Sequence, residues 1–123
     1  MSGTKKVLII DDDNRNIFAL TAVLKAKGYS CLSAIGGEEG LQLLEEQKDI
    51  AVVLMDMMMP GMDGYAAMAA MNASPELKNI PVIAVTAQAM LGDRERCLEA
   101  GAVGYVSKPI NVDNLTDLLV KYI

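Results

Sequence analysis

The chain has 123 residues, 11 Lys+Arg against 16 Asp+Glu for a formal charge of −5, 52% hydrophobic residues, two cysteines and no histidine. That length suits one domain with a proper core. The missing histidine excludes a Ser-His-Asp or Cys-His pair, a histidine-containing zinc site and a phosphohistidine on the chain itself. The acidic balance offers no basic stripe for nucleic acid and no polybasic anchor for anionic lipid, so neither is an expected partner.

Short β-rich apolar runs alternate with longer amphipathic ones. VLII (7–10) predicts a first strand, which stops at Asp11-Asp12-Asp13. Ile17, Leu20, Thr21 and Leu24 then recur at the spacing of one buried helix face, and Gly28 stands where a left-handed residue would end that helix. SCLSA (30–34) predicts the second strand, closing on Gly36-Gly37, and AVVLM (51–55) the third, closing on Asp56. Beyond PGMDG, YAAMAAMN predicts a third helix, with Ala73-Ser74-Pro75 down to Asn79 as a loop. PVIAV (81–85) predicts the fourth strand, ending at Thr86, and Gly101 ends the fourth helix. VGYVS (103–107) predicts the fifth strand, which leads into Ser107-Lys108-Pro109. Asn111 then N-caps a last helix whose inner face is Leu115, Leu118, Leu119 and Tyr122.

Strict strand-helix alternation with continuous apolar central strands predicts a doubly wound α/β domain: five parallel strands with five helices on both faces. The pattern takes up the chain from Lys5 to Ile123, so residues 1–123 read as one domain with no output domain. Cys31 and Cys97 lie far apart without a CxxC, each in an apolar segment, which predicts reduced, buried thiols in a cytoplasmic protein. No apolar run approaches the length of a membrane span, and no signal peptide is recognisable.

In an open parallel sheet ligands bind beyond the carboxyl ends of the strands, where this chain places Asp11, Asp12, Asp13, Asp56, Thr86 and Lys108. If the strand order is 2-1-3-4-5, strands one and three are neighbours at the switch point and their carboxylates converge. Clustered carboxylates on loops suit a hard, oxygen-liganded cation, Mg²⁺ better than Ca²⁺. A lysine and a hydroxyl across the crevice are what a phosphoryl dianion needs beside a metal. Without histidine or an activated Ser or Cys, the convincing nucleophile is a carboxylate, which would give an acyl phosphate, and Asp56 is best placed for it. Asp13, just ahead of the first helix, reads as an N-cap in preference to a further ligand. Gly61, Asp63 and Gly64 read as turn-shaping residues. Met57, Met58 and Met59 read as packing and loop shape, since thioethers prefer soft ions.

VLIIDDD (7–13), LMDMMMPGMDG (54–64), VTA (85–87) and GAVGYVSKP (101–109) occur in an order and spacing that resemble the receiver domain of bacterial two-component response regulators, over essentially the whole chain. The resemblance implies a flavodoxin-like sheet of order 2-1-3-4-5, with Asp56 as phosphoacceptor. It implies Mg²⁺, with Mn²⁺ as a substitute, held by Asp11, Asp12, Asp56 and the backbone carbonyl of Met58. It implies phosphoryl contacts from Thr86, the Ala87 backbone and Lys108, a cis bond before Pro109, and Thr86 with Tyr105 as the switch pair. Met58 and Gln88 would flank the path of the hydrolytic water and set the dephosphorylation rate.

The implied partners are a sensor histidine kinase or histidine phosphotransfer protein, meeting the region of Asn14, Arg15 and Phe18, and a downstream protein effector. The effector would read the face of helix four, strand five and helix five as the 86–92 loop moves, and the chain itself would be a monomer or weak dimer. It would be a signalling protein that assists its own phosphorylation and not a turnover enzyme. Three other readings stay open: a receiver cut from a hybrid histidine kinase or longer regulator, a phosphorylation-independent adaptor, and a haloacid-dehalogenase-like phosphatase. The last needs a second acid where this chain has Met58.

Overall fold

In a computed structural model, which describes residues 5–87 and 91–123, the elements run β1 (Lys6–Ile10), α1 (Asn14–Ala26), β2 (Ser30–Ala34), α2 (Gly37–Glu46), β3 (Ile50–Asp56), α3 (Gly64–Asn72), β4 (Val82–Thr86), α4 (Asp93–Glu99), β5 (Gly104–Ser107) and α5 (Val112–Leu119). The strands form one sheet in the order β2-β1-β3-β4-β5, and every neighbouring pair is parallel.

Side chains alternate across a strand, and the central strands are apolar on both sides because helices cover both faces. Val7, Ile9, Val52, Leu54, Ile83 and Val85 meet Ile17, Leu20 and Leu24 of α1 and Leu115 and Leu119 of α5. Leu8, Ile10, Val53, Met55 and Ala84 turn the other way, onto Leu44 of α2, Met68 and Met71 of α3 and Cys97 of α4. The methionines next to Asp56 divide by burial. Met57 and Met59 belong to this second core, while the side chain of Met58 stands half exposed.

Capping residues set where the helices start. Asp13 Oδ1 accepts from the Arg15 amide at 2.9 Å, Asp63 Oδ1 from Ala66 at 2.9 Å and Asn111 Oδ1 from Asn114 at 3.0 Å, each satisfying a donor with no partner inside its helix. Gly28 and Gly101 follow α1 and α4 with φ of +96° and +116°, the left-handed stops the sequence implies.

The structure departs from the sequence reading at several element ends. Strand two ends at Ala34, and Gly37 already opens α2. Val103 lies outside β5. Leu118, within α5, and Tyr122, beyond its end at Leu119, are only partly buried at the edge of the core. Gly64 is not a turn residue but the first residue of α3, where backbone passes too close for a side chain. A Cβ there would lie 2.7 Å from Met57 Cα and 2.9 Å from the Asp56 carbonyl oxygen. Gly61, by contrast, does serve the turn, with φ of +74° and open space around it. Gly64→Ala is therefore expected to lower the unfolding free energy in urea by roughly 1–3 kcal/mol, because backbone must shift to make room. Gly61→Ala should cost only about 1 kcal/mol, the strain of the left-handed backbone alone.

Candidate functional site

The β1–β3 register pairs Ile10 with Met55, so the residues that follow, Asp11 and Asp56, come level at the switch point of the sheet. Both are only 3% exposed. One carboxylate oxygen from each of Asp11, Asp12 and Asp56 lies within 4.8 Å of the others, with Asp12 on the open side. Lys108 reaches in from the end of β5. Its Nζ stands 3.3 Å from Asp11 Oδ2 and 3.6 Å from Asp56 Oδ2. The remaining oxygens are held by backbone: Asp11 Oδ1 accepts from the Asp13 amide at 2.9 Å and Asp56 Oδ1 from the Met58 amide at 3.0 Å.

Burial pushes the Asp56 carboxyl up to about 6, and the neighbouring Asp11 charge adds to the rise, while the Met58 amide and Lys108 pull the other way. One lysine thus faces two buried carboxylates and a third exposed one. Such a site gains by taking up positive charge, either a proton on Asp56 or a hard cation among the three oxygens, and this donor set fits Mg²⁺.

The other residues singled out in the sequence fall around this crevice. Thr86 is buried at the end of β4, and its carbonyl accepts from the Lys108 amide at 2.7 Å. Ala87 is exposed beside it. The Lys108–Pro109 bond is cis. Tyr105, half-buried on β5, donates its hydroxyl to Asp93 Oδ2 at 2.9 Å. Asp13 caps α1 and takes no part in the carboxylate cluster. Gln88, and with it the centre of the 86–92 segment, lies outside the described residues. Cys31 and Cys97 are both free thiols, Cys97 fully buried and Cys31 partly so.

Two features escaped the sequence reading. Asp93 and Tyr65 were not marked, although Asp93 anchors Tyr105 and Tyr65 meets Cys97 at 3.6 Å. The only local signal was the spacing of Asp93 and Cys97, one helical turn apart. The second feature is an apolar groove of about 230 Å³ beside Lys108, lined by Ala19, Leu20 and Val23 of α1 and by Pro109, Ile110 and Val112. It joins segments distant in the chain and leaves no local pattern.

A parallel doubly wound sheet with paired strand-end aspartates, a facing lysine and a buried threonine defines the receiver class of signalling domain. Residues 7–120 match the family described as response regulator receiver domain, and the chain belongs to it. It is 36% identical over 120 residues to the polar-differentiation response regulator DivK of Brucella ovis, covering 98% of this chain and 97% of that protein. The corresponding protein of Brucella anthropi is 35% identical over 119 residues. Among solved structures, a response regulator receiver protein from Pseudomonas putida superposes with a TM-score of 0.90 at 26% identity, covering 98% of this chain and 99% of the other. The receiver domain of a sensor histidine kinase from Pseudomonas aeruginosa PAO1, which carries a magnesium ion in its active-site cleft, superposes with a TM-score of 0.87 at 32% identity, covering 98% of both chains.

The raised Asp56 carboxyl has a consequence for stability. Between about pH 4 and pH 6 the folded chain holds a proton that the unfolded chain has released, so stability falls as pH rises through that window. Asp56→Asn removes the penalty. In chelator-treated protein at pH 7.5 the variant is expected to be more stable to urea than the parent by roughly 1–3 kcal/mol, with the difference closing below pH 4.

Proposed function

We propose that this receiver takes a phosphoryl group from a partner's phosphohistidine onto Asp56 and switches its α4–β5–α5 face for a protein effector. The observation that carries the proposal is the position of Lys108 between the buried carboxylates of Asp11 and Asp56. A Mg²⁺ ion held by Asp11, Asp12, Asp56 and the Met58 carbonyl would supply charge neutralisation, and Mn²⁺ suits the same oxygen donors.

An Asp56 carboxylate oxygen attacks the phosphorus in line. The O–P bond forms as the P–N bond of the donor breaks, and the imidazole leaves. Lys108 neutralises negative charge on the phosphoryl oxygens, and the Thr86 hydroxyl and Ala87 backbone hold the transferred group. The acyl phosphate carries more charge than the carboxylate it replaces, which redirects the pull on Lys108 and Thr86. Tyr105 follows Thr86, and the face around it is remodelled. The exposed Met58 side chain flanks the approach of water and helps set how long the acyl phosphate lasts.

The phosphodonor is a sensor histidine kinase or a histidine phosphotransfer protein, docking on α1 around Asn14, Arg15 and Phe18. Phe18 is 76% exposed, and the apolar groove beside Lys108 is lined by Asn16, Ala19, Leu20 and Val23 of the same helix. The chain is then a cytoplasmic signalling component and not a turnover enzyme. Likeness to DivK over 97% of that protein's length favours a regulator built of a receiver alone. Likeness to a sensor-kinase receiver favours work inside a longer kinase as the second reading.

Intact mass after incubation with Mg²⁺ and acetyl phosphate tests the proposal. One phosphoryl adduct is expected, stable in acid, labile in alkali and absent in Asp56→Asn or in excess chelator. Lys108→Ala should slow its formation on the order of 10²-fold. A chain that binds Mg²⁺ but takes no adduct would be a phosphorylation-independent adaptor.

A further inference from the structure

Three methionines follow Asp56 in the chain, and the fold treats them differently. Met57 is 2% exposed and Met59 6%, both inside the core on the α2–α3–α4 side of the sheet, whereas Met58 between them is 50% exposed. Further along the same loop Met62 is only partly buried, but its Sδ would lie 2.8 Å from a Cβ built on Gly37, so that sulfur is packed against the start of α2. Met55, Met68 and Met71 are at most 2% exposed. Among the described residues Met58 is therefore the methionine that offers its thioether to solvent. Its backbone is held at the acidic crevice. The Met58 amide donates to Asp56 Oδ1 at 3.0 Å, while Asp56 Oδ2 faces Lys108 at 3.6 Å. An oxidisable sulfur on a short methylene stem thus springs from the residue that holds Asp56 in orientation.

From this placement we infer that Met58 is an oxidation site, and that converting its thioether to the sulfoxide shortens the life of the acyl phosphate on Asp56. The inference rests on the phosphoryl-accepting reading above and adds a control to it. Hydrogen peroxide supplies the oxygen: sulfur gives up two electrons and gains an S–O bond, the peroxide O–O bond breaks, and water leaves. A dithiol reverses the step, taking the oxygen off as water and becoming a disulfide. Thioether sulfur is apolar and a weak acceptor, so in the reduced chain Met58 covers the acyl phosphate without ordering water beside it. Sulfoxide oxygen carries partial negative charge and accepts hydrogen bonds strongly. It takes one from a water approaching phosphorus, which holds that water in place for attack. The water oxygen then bonds to phosphorus as the P–O bond to Asp56 breaks, leaving carboxylate and inorganic phosphate and releasing a proton to solvent. The same phosphodonor input therefore yields a shorter signal under oxidant.

The test uses the whole chain, treated or untreated with dilute hydrogen peroxide, loaded by acetyl phosphate with Mg²⁺ and then freed of the donor. Loss of the phosphoryl mass is followed in acid-quenched samples, and added oxygen is located by peptide fragmentation. Peroxide should oxidise Met58 ahead of Met57, Met59 and Met62. The oxidised chain is expected to lose its phosphoryl group about three to ten times faster than the untreated chain, the worth of one hydrogen bond to the attacking water, with an unchanged urea midpoint. Methionine sulfoxide reductases of both epimer specificities, with a dithiol, should restore the slow rate. Met58→Gln, which carries an amide oxygen at a similar reach, should lose the group fast without peroxide. Met58→Leu keeps every other methionine and both cysteines, and its rate, whatever the starting value, should not respond to peroxide.

Oxidation at Met58 with an unchanged or longer acyl-phosphate lifetime would overturn the control and leave the phosphoryl-accepting reading standing. A faster loss that persists in Met58→Leu, or oxidation of Met57, Met59 or Met62 ahead of Met58, would do the same. No adduct on the untreated chain would overturn that reading and the control together.

Discussion

Two carboxylates buried side by side repel each other and lose hydration, and Asp11 and Asp56 are held in that situation by one ammonium group. Lys108 Nζ, 3.3 Å from Asp11 Oδ2 and 3.6 Å from Asp56 Oδ2, offsets their repulsion. Much of the fold serves to bring these three groups together. β1 and β3 must be neighbours and in register for the aspartates to come level. β4 must lie between β3 and β5 so that Lys108 leaves the sheet at the right height. Backbone amides of Asp13 and Met58 occupy the outer oxygens and fix both carboxylates in orientation. Close packing shapes the same loop: Gly64 lets α3 start directly against the backbone of Asp56 and Met57.

The same arrangement explains how a local charge event can have a distant effect. Lys108 is bonded through its side chain to the acids and through its amide to Thr86. Tyr105 lies on β5, the strand that leads into Lys108, and is bonded in turn to the first turn of α4. Charge on Asp56 is thereby connected through covalent chain and short hydrogen bonds to a helix with little hydrophobic anchorage. α1 and α5, by contrast, present well-buried apolar faces to the sheet.

Much of this was legible in the sequence, for identifiable reasons. Parallel strands buried on both sides read as unbroken apolar runs, and β1, β3 and β4 showed as such. An acid at the end of such a run, as at Asp11 and Asp56, is conspicuous because desolvation makes it costly. Capping by Asp13 and Asn111 follows from short-range hydrogen bonding and could be assigned locally. The role of Gly64 could not, because the atoms that exclude a side chain belong to Met57 and Asp56, brought against it by the return of the chain. The tyrosine contacts on α4 join β5 and α3 to one helix. No periodicity marks a hydroxyl that finds its partner through tertiary packing, so Asp93 and Tyr65 passed as ordinary surface and helix residues.

The most direct test of the paired-carboxylate site is the melting temperature at pH 7.5 as Mg²⁺ is added, for the parent chain and for Asp56→Asn. A cation taken up by the three acids binds only the folded chain, so it should raise the parent's melting temperature with increasing concentration, by several degrees near saturation. Asp56→Asn, relieved of one charge, should start higher and respond far less. Equal shifts in the two proteins, or no shift in the parent, would contradict a site in which Asp56 is both the strained group and a cation ligand.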